Sequence, residues 1–294
     1  MLSISIIVGL IAMFSWGIAD FLQSVAIRKM GTYKVMFLSN IFGLLMTFPV
    51  LFFIMPQIAL SNMLLLLLGG IMQTAAIYFF YTSMKKGDIS LVAPISASYP
   101  IVTILLLRIF VGQTISIITL IAILMLIFGI VLTSTDLKKI RQMHTVAGVK
   151  ESLITLMLWG IYFFVLKIVS DNITLFGINF PETHYLSIFF FSNIAMGIFM
   201  MLFSVSNKGI PTKKDLKDKT VLLILFSTSV IFTLAWIILT YGFTIGDASI
   251  ITPISSLYPV IIVMLAMIFY KEKLVLNQKL GILTILAGLV LISL

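Results

Sequence analysis

Residues 87–100 read GDISLVAPISASYP, and residues 246–259 read GDASIITPISSLYP. Eight of the fourteen aligned positions are identical, and the identities include both prolines and the tyrosine before the second proline. Each identical pair is separated by 159 residues, a constancy that chance similarity between two apolar stretches does not explain. We therefore interpret the two stretches as equivalent parts of a duplicated chain.

The composition places most side chains in lipid. The chain has 294 residues, of which 61% are hydrophobic and 10% are charged, and its mean hydropathy is +1.22. Soluble domains carry roughly 25% charged residues, so this much apolar sequence needs a membrane as its solvent. The sequence contains no cysteine, which excludes a disulfide framework, a thiol nucleophile and a cysteine metal site.

Apolar segments of about 20 residues, the length that crosses a bilayer as a helix, recur along the whole chain. Charged residues, glycine or proline bound each segment, and the connections between them are short. The predicted transmembrane helices are 4–27, 33–54, 62–83, 89–110, 114–134, 151–171, 184–205, 220–242, 248–270 and 275–293.

The positive charges alternate between the connections. Seventeen of the 19 lysines and arginines fall in every second loop or within the first few residues of the helix after it, beginning with the loop after the first helix, and the loops between these carry none. Arg108 and Lys167 are the other two, and both lie inside predicted helices. Because cytoplasmic loops collect positive charge, we expect the basic loops to be cytoplasmic and both termini to be extracytoplasmic.

A second repeated element gives the orientation of the halves. Trp16-Gly17-Ile18 in the first predicted helix recurs as Trp159-Gly160-Ile161 in the sixth. The second half thus begins after five helices, and an odd number of helices inverts it relative to the first. We predict an all-α membrane protein of ten transmembrane helices, arranged as two inverted five-helix repeats.

These features resemble the drug/metabolite transporter superfamily, specifically proteins with two EamA domains. The resemblance is carried by the duplication, by the ends of both halves (87–134 and 246–293), and by Trp159-Gly160 followed by Lys167. The first half has Ser24 where that lysine would stand. The resemblance implies a first EamA-like repeat at 1–134, a basic cytoplasmic connecting loop at 135–150 and a second EamA-like repeat at 151–294.

The resemblance also bears on the segment between the fourth and fifth helices of each half, where the family often has Gly-Glu. Here the first half has Gly112-Gln113 and the second has Lys271-Glu272. Family members export or import amino acids, sugars, nucleotide conjugates and lipophilic cations through a central cavity. Well-known ten-helix members are usually drawn with cytoplasmic termini, which differs from the orientation that the charges favour.

The prolines of the repeated stretches predict broken helices. A proline inside a helix removes one N–H group and leaves the carbonyl four residues earlier without its partner. Pro94, Pro100, Pro253 and Pro259 each stand four residues after a serine. Two interpretations remain open: a purely structural kink, or a broken helix that offers backbone oxygen to a solute and acts as a hinge or gate. We also expect Asp88 to cap the fourth helix.

Aromatic and polar residues inside the predicted helices are candidates for lining the cavity. The candidate lining residues are Trp16, Asp20, Gln73, Ser96, Tyr99, Trp159, Ser255 and Tyr258. Each of the aromatic candidates could instead serve helix packing. A carboxylate within lipid is costly and indicates function, so Asp20 is the candidate for proton coupling, with a structural, paired aspartate as the alternative. Lys167 is a possible charge site, or it extends outward to the membrane surface.

We predict a secondary transporter that moves a small organic metabolite or drug by alternating access, coupled to an ion or a gradient. The alternative is a non-transporting membrane scaffold or sensor. The chain has no phosphate-binding loop, no metal-ligand cluster and no nucleophile with an oriented base, so we expect neither an enzyme nor a bound cofactor or metal. The expected partners are a small solute, the bilayer and possible coupling protons or other ions, without nucleic acid. We expect a monomer in the cell membrane.

Overall fold

The computed structural model describes residues 2–112, 114–134, 146–245, 254–255 and 257–291. Gln113, Pro253 and most of the connecting loop 135–150 lie outside these ranges. The second copy of the repeated stretch is therefore described only from residue 254, without residue 256.

Helices dominate the described residues. They are α1 (Leu2–Met30), α2 (Thr32–Thr47), α3 (Leu60–Lys86), α4 (Ile89–Ala97), α5 (Pro100–Leu106), α6 (Ile117–Ser134), α7 (Val149–Ser170), α8 (Tyr185–Ser206), α9 (Lys219–Ile245), α10 (Tyr258–Leu265) and α11 (Leu276–Leu291). A 3₁₀ turn, Phe48–Phe52, extends α2, and a second one, Asp215–Lys217, precedes α9.

Seven of the helical segments are long and apolar enough to cross a membrane: Ile4–Met30, Thr32–Phe52, Leu60–Lys86, Ile89–Val111, Val149–Ser170, Tyr185–Ser206 and Lys219–Leu239. Three shorter apolar helices follow the same pattern at Ile117–Leu132, Tyr258–Tyr270 and Leu276–Leu291. The structure thus confirms a mostly helical, strongly apolar chain. The count of ten transmembrane helices in an inverted repeat stays a prediction.

A small β-hairpin between α7 and α8 departs from the predicted all-α structure. Strands β1 (Ile173–Leu175) and β2 (Ile178–Phe180) pair antiparallel, with Leu175 opposite Ile178. The two residues between them, Phe176 and Gly177, have φ of 52° and 78°. Positive φ at both positions fits the two-residue turn that matches strand twist. Gly177 was the sequence signal for this turn, but it lies in a loop for which no secondary structure was predicted.

The fourth predicted helix is interrupted where its prolines lie. Helix α4 contains Pro94, and α5 begins at Pro100 after a break at Ser98 and Tyr99. Helix α5 continues into a π-helical turn, Leu107–Val111, and the same turn follows α10 at Ala266–Tyr270. The two π turns are again 159 residues apart.

Contacts between the two halves come in matched pairs. Helix α1 packs on α9 as α7 packs on α3, and α2 packs on α9 as α8 packs on α3. Likewise α1 contacts α10, while α7 contacts α4 and α5. The pairs α2·α8 and α6·α11 join equivalent elements of the two halves directly, and α4 also packs on α10. This arrangement brings α1 against α10 and α7 against the broken helix formed by α4 and α5, and α1 and α7 carry the two Trp-Gly-Ile triplets.

Candidate functional site

Two Trp–Tyr pairs occupy equivalent positions in the two halves. The rings of Trp16 and Tyr258 lie 6.1 Å apart, edge to face at 89°. The rings of Trp159 and Tyr99 also lie 6.1 Å apart, edge to face at 77°. Each pair joins a Trp-Gly-Ile helix of one half to the tyrosine before the second proline of the other. The duplication therefore repeats a specific contact between the halves as well as a sequence.

Glycines next to the tryptophans allow these contacts. A Cβ atom on Gly17 would lie 2.9 Å from the Tyr258 carbonyl oxygen, and one on Gly160 would lie 3.0 Å from the Tyr99 carbonyl oxygen. Both approaches are closer than a methyl group permits without movement of the neighbouring backbone. Small residues of this kind let helix backbones meet in membranes, and here they seat α1 and α7 directly on the broken helices.

Further rings connect the two pairs into one aromatic cluster. Trp236 lies 5.8 Å from Trp16 and 6.5 Å from Phe163, and Phe163 stacks on Tyr99 at 4.4 Å and 11°. Phe80 adds a ring 4.8 Å from Trp159. The aromatic cluster comprises Trp16, Phe80, Tyr99, Trp159, Phe163, Trp236 and Tyr258. Its members come from α1, α3, α7, α9, α10 and the break between α4 and α5.

Buried polar atoms without a partner concentrate among the predicted lining residues. Within the described residues, five buried side-chain polar atoms have no hydrogen-bond partner, and three of these are Trp16 Nε1, Gln73 Oε1 and Ser96 Oγ. Such atoms are rare in folded proteins and each calls for an explanation. A polar solute or water at these positions would satisfy them.

Asp20 is a buried carboxylate without a partner. Its side chain is 7% exposed, and no group of the described residues forms a hydrogen bond or an ion pair with it. It lies one turn after Trp16 on α1, within electrostatic range of Tyr81 and Tyr258. A charge at this place is expensive unless water, an ion or a solute accompanies it. A role for this carboxylate in binding a proton, an ion or a solute stays a prediction.

The other predicted residues divide between the site and its surroundings. Ser255 is buried just before Tyr258, and Pro259 lies in the first turn of α10. Lys167 is exposed at the end of α7, and its Nζ atom lies 2.7 Å from a carboxylate oxygen of Asp171. This position corresponds to the alternative in which the lysine reaches outward.

The candidate lining residues did not include three members of the aromatic cluster: Phe80, Phe163 and Trp236. A signal for Phe163 was present, because it follows Trp159 by four residues as Asp20 follows Trp16. Equivalent positions of the duplication thus hold a carboxylate in one half and a ring in the other. No comparable signal distinguished Phe80 among the apolar residues of α3.

A polar connection between the halves lies at the end of the helices where the lysine- and arginine-rich loops are found, which we call the basic end. The Glu272 carboxylate accepts hydrogen bonds from the Ile89 and Ser90 N–H groups, both at 3.0 Å, and from the Ser90 hydroxyl. Asp88 occupies the N-cap position of α4, but its side chain makes no capping bond. The predicted N-cap position of Asp88 is therefore confirmed, but the expected capping bond from its side chain is absent, and a carboxylate from the opposite half accepts the N–H groups instead.

Side chains of α1 complete this connection. An Arg28 guanidinium nitrogen lies 3.8 Å from Glu272, and the guanidinium carbon lies 4.1 Å from the centre of the Tyr270 ring. The Tyr270 and Ser24 hydroxyls form a hydrogen bond at 3.0 Å. We call Ser24, Arg28, Ser90, Tyr270 and Glu272 the latch. It joins α1 and α4 of the first half to the segment between α10 and α11.

Removing the charge of Glu272 is expected to weaken the latch. In Glu272→Gln the N–H groups of α4 lose a charged acceptor and Arg28 loses its ion pair. Since hydrogen bonds to charged groups contribute more than neutral ones, the free energy of unfolding should fall by about 1–2 kcal/mol. Thermal unfolding in detergent micelles measures this change. Glu182→Gln is the matched control, because Glu182 is exposed and has no partner among the described residues. Equal melting temperatures for the two variants would contradict a role for the latch.

Comparison with known proteins identifies the chain. The sequence model of the EamA-like transporter family matches residues 3–135 and, a second time, residues 148–294. The chain belongs to the EamA-like transporter family. Its membership agrees with the resemblance, and family members are transporters and not enzymes.

Two individual proteins are similar to this EamA-family chain. "Uncharacterized protein MJ1333.1" from Methanocaldococcus jannaschii is 37% identical over 76 residues, which is 26% of this chain and 56% of that protein. The chain thus spans little more than half the length of this curated relative. A solved structure titled "Crystal structure of protein" superimposes with a TM-score of 0.61 and 14% identity, covering 99% of this chain and 98% of the other. At this identity the likeness shows a shared fold alone.

Proposed function

We propose that this EamA-family protein is a secondary transporter that moves a small organic solute by alternating access between two inverted halves of five transmembrane helices each. The observation that carries the proposal is the pair of equivalent Trp–Tyr contacts, Trp16 with Tyr258 and Trp159 with Tyr99. Each crosses from one half to the other. Any movement of one half against the other must therefore change the surroundings of both pairs.

The chemistry of the aromatic cluster suits an organic solute. Rings supply large apolar faces, and their electron-rich faces also attract organic cations. The unpartnered atoms Trp16 Nε1 and Ser96 Oγ add a donor and a hydroxyl, while Asp20 adds one carboxylate. Binding sites for small molecules combine mostly apolar walls with a few polar groups in this way. Trp16, Asp20, Gln73, Ser96, Tyr99, Trp159, Ser255 and Tyr258 form the proposed site.

The broken helices and the latch support alternating access. Pro94, Pro100 and Pro259 interrupt or begin helices beside the tyrosines, so these segments can bend without breaking long helices elsewhere. The latch ties the halves together at the basic end. By the charge distribution this end faces the cytoplasm, and both termini face outward. Opening toward the cytoplasm then requires the contacts of Glu272 to separate.

Coupling to a proton gradient is assigned to Asp20. Its carboxyl group can bind and release a proton, and it lies beside Trp16 within the proposed site. The solute and the proton then share one chamber, which links their movements. We place the protein in the cell membrane as a monomer.

Counterflow in liposomes tests the transport function. Purified protein is reconstituted with a high internal concentration of one unlabelled solute, and entry of the labelled form is followed for a panel of amino acids, sugars, nucleotide conjugates and organic amines. We expect transient accumulation of at least one class, and loss of that accumulation in Trp16→Ala and Trp159→Ala. If folded protein moves no member of the panel, the scaffold or sensor alternative is favoured.

A further inference from the structure

A basic cleft of about 440 Å³ lies at the same end of the helices as the latch. It is formed by the end of α1, the start of α2, the end of α3 and the segment after α8. Its lining includes the four lysines Lys34, Lys85, Lys86 and Lys208. No acidic side chain of the described residues lines it. The cleft therefore has the charge of a site for an anion.

Two of the four lysines are already paired. Lys34 Nζ lies 2.7 Å from Asp215, and Lys86 Nζ lies 2.6 Å from Glu151. Hydrogen bonds from Lys34 and Thr212 lower the pKa of Asp215 to about 2. Asp215 thus stays ionised at neutral pH and keeps Lys34 in place. These pairs fix the walls of the cleft but leave little charge for a ligand.

Lys85 and Lys208 supply the available charge. Both are exposed, and neither has a hydrogen-bond or ion-pair partner among the described residues. Lys208 has a φ of 59°, which is uncommon for a residue with a side chain. Its N–H group bonds to the Val205 carbonyl at 3.1 Å, and the next N–H, of Gly209, bonds to the Ser204 carbonyl at 2.7 Å. This cap holds the Lys208 backbone in the turn beside the cleft.

Uncharged donors complete the cleft. The rings of Tyr33 and Tyr78 stack at 5.4 Å and 15°, and the Tyr33 hydroxyl donates to the Tyr78 hydroxyl at 3.2 Å. The proton of the Tyr78 hydroxyl is then left to donate to a ligand. Helix α2 begins here after Gly31, without a side-chain capping bond. Its first N–H groups and the positive end of its dipole add to the attraction for an anion.

An apolar, exposed stripe on α8 leads to the cleft. Ile198, Leu202 and Val205 share one helix face and are 50%, 60% and 43% exposed. On the same helix, the Phe203 ring lies 5.8 Å from Tyr33 and 5.2 Å from Tyr78. An amphiphile could therefore extend along α8 while its charged end reached the lysines. A free solute would have no use for this stripe.

We propose that the basic cleft binds the phosphate of an anionic phospholipid headgroup, with the acyl chains along α8. Lys85, Lys208 and the Tyr78 hydroxyl contact the phosphate, while Lys34 and Lys86 maintain the walls through their acidic partners. Basic pockets between transmembrane helices bind anionic headgroups by this chemistry. The proposal does not depend on the transport function.

Native mass spectrometry of the full chain in detergent tests the proposal. The protein is titrated with dioleoyl-phosphatidylglycerol, with dioleoyl-phosphatidylcholine, or with glycerol phosphate, which carries the headgroup charge without acyl chains. The variant Lys85→Gln/Lys208→Gln should bind phosphatidylglycerol roughly 30-fold more weakly than the native chain. The control Lys213→Gln/Lys214→Gln removes the same charge from exposed positions outside the cleft, and its affinity should change less than threefold.

Three results would overturn the proposal. Equal weakening in the two double variants would mean unspecific attraction to the basic loops. Equal affinity of the native chain for phosphatidylcholine would remove the requirement for an anion. Competition by glycerol phosphate at the concentration of the lipid itself would assign the cleft to a free phosphate compound. Melting temperatures of the variants check that both remain folded.

Discussion

Gly160→Ala is expected to destabilise the protein by about 3 kcal/mol and to abolish transport. An added Cβ atom would overlap the Val102 side chain and would lie 3.0 Å from the Tyr99 carbonyl oxygen. That carbonyl belongs to the break between α4 and α5, which cannot retreat without shifting Tyr99 itself. The methyl group would therefore separate α7 from the broken helix and disrupt the contact of Trp159 with Tyr99.

Gly17→Ala tests the same contact in the other half. The Cβ atom would lie 2.5 Å from Ile261 Cβ and 2.9 Å from the Tyr258 carbonyl oxygen. If the two interfaces are equivalent, the loss in stability should match that of Gly160→Ala within about 1 kcal/mol. Thermal unfolding in detergent and counterflow in liposomes measure stability and transport separately.

Gly43→Ala is the matched control for both variants. Gly43 lies inside α2, and an added Cβ atom would meet nothing within 4 Å. Alanine is also the better helix former, so stability should stay unchanged or rise slightly. If Gly160→Ala melted at the temperature of Gly43→Ala, the close approach of α7 to Tyr99 would be rejected.

Local patterns were sufficient to predict most helices, because span length and charge depend on neighbouring residues. The break before Pro100 likewise follows from a local rule, because a proline leaves the carbonyl group four residues earlier without its hydrogen-bond partner. The capping of α4 could not be predicted this way. A local rule gave the N-cap position, Asp88, but the carboxylate that accepts the N–H groups belongs to Glu272, which is 183 residues away from Ile89. A cap from another half of the chain depends on tertiary packing alone.

In the candidate site too, single residues could be predicted from local patterns, whereas the contacts between them could not. Trp16 and Tyr258 could each be selected from the repeats, but their contact depends on how the halves pack. Phe163 occupies the position equivalent to Asp20, so the duplication preserved the place and changed the chemistry. A comparison limited to residues that are identical in the two halves does not find such a position. The resulting asymmetry, a single carboxylate one turn away from Trp16 on α1, is the basis of the second large effect.

Asp20→Asn is expected to abolish solute uptake driven by a pH gradient while leaving counterflow within about threefold of the native rate. Asparagine has nearly the shape of aspartic acid, so the packing beside Trp16 should persist. Its amide group neither gains nor loses a net proton at any working pH, and it carries no charge. Uptake coupled through this position would therefore fall to the level of protein-free liposomes, while exchange of solute for solute would need no proton transfer.

The choice of control makes this result specific to the buried carboxylate. Asp171→Asn removes an aspartate that is 41% exposed at the end of α7, where it pairs with Lys167. Surface pairs of this kind contribute little, so gradient-driven uptake should be unchanged. Asp20→Glu, which keeps the carboxyl group, should retain coupling at a reduced rate. If Asp20→Asn still responded to the gradient as the native protein does, the coupling proton would have to bind elsewhere. Loss of counterflow together with gradient-driven uptake would instead assign Asp20 to binding of the solute.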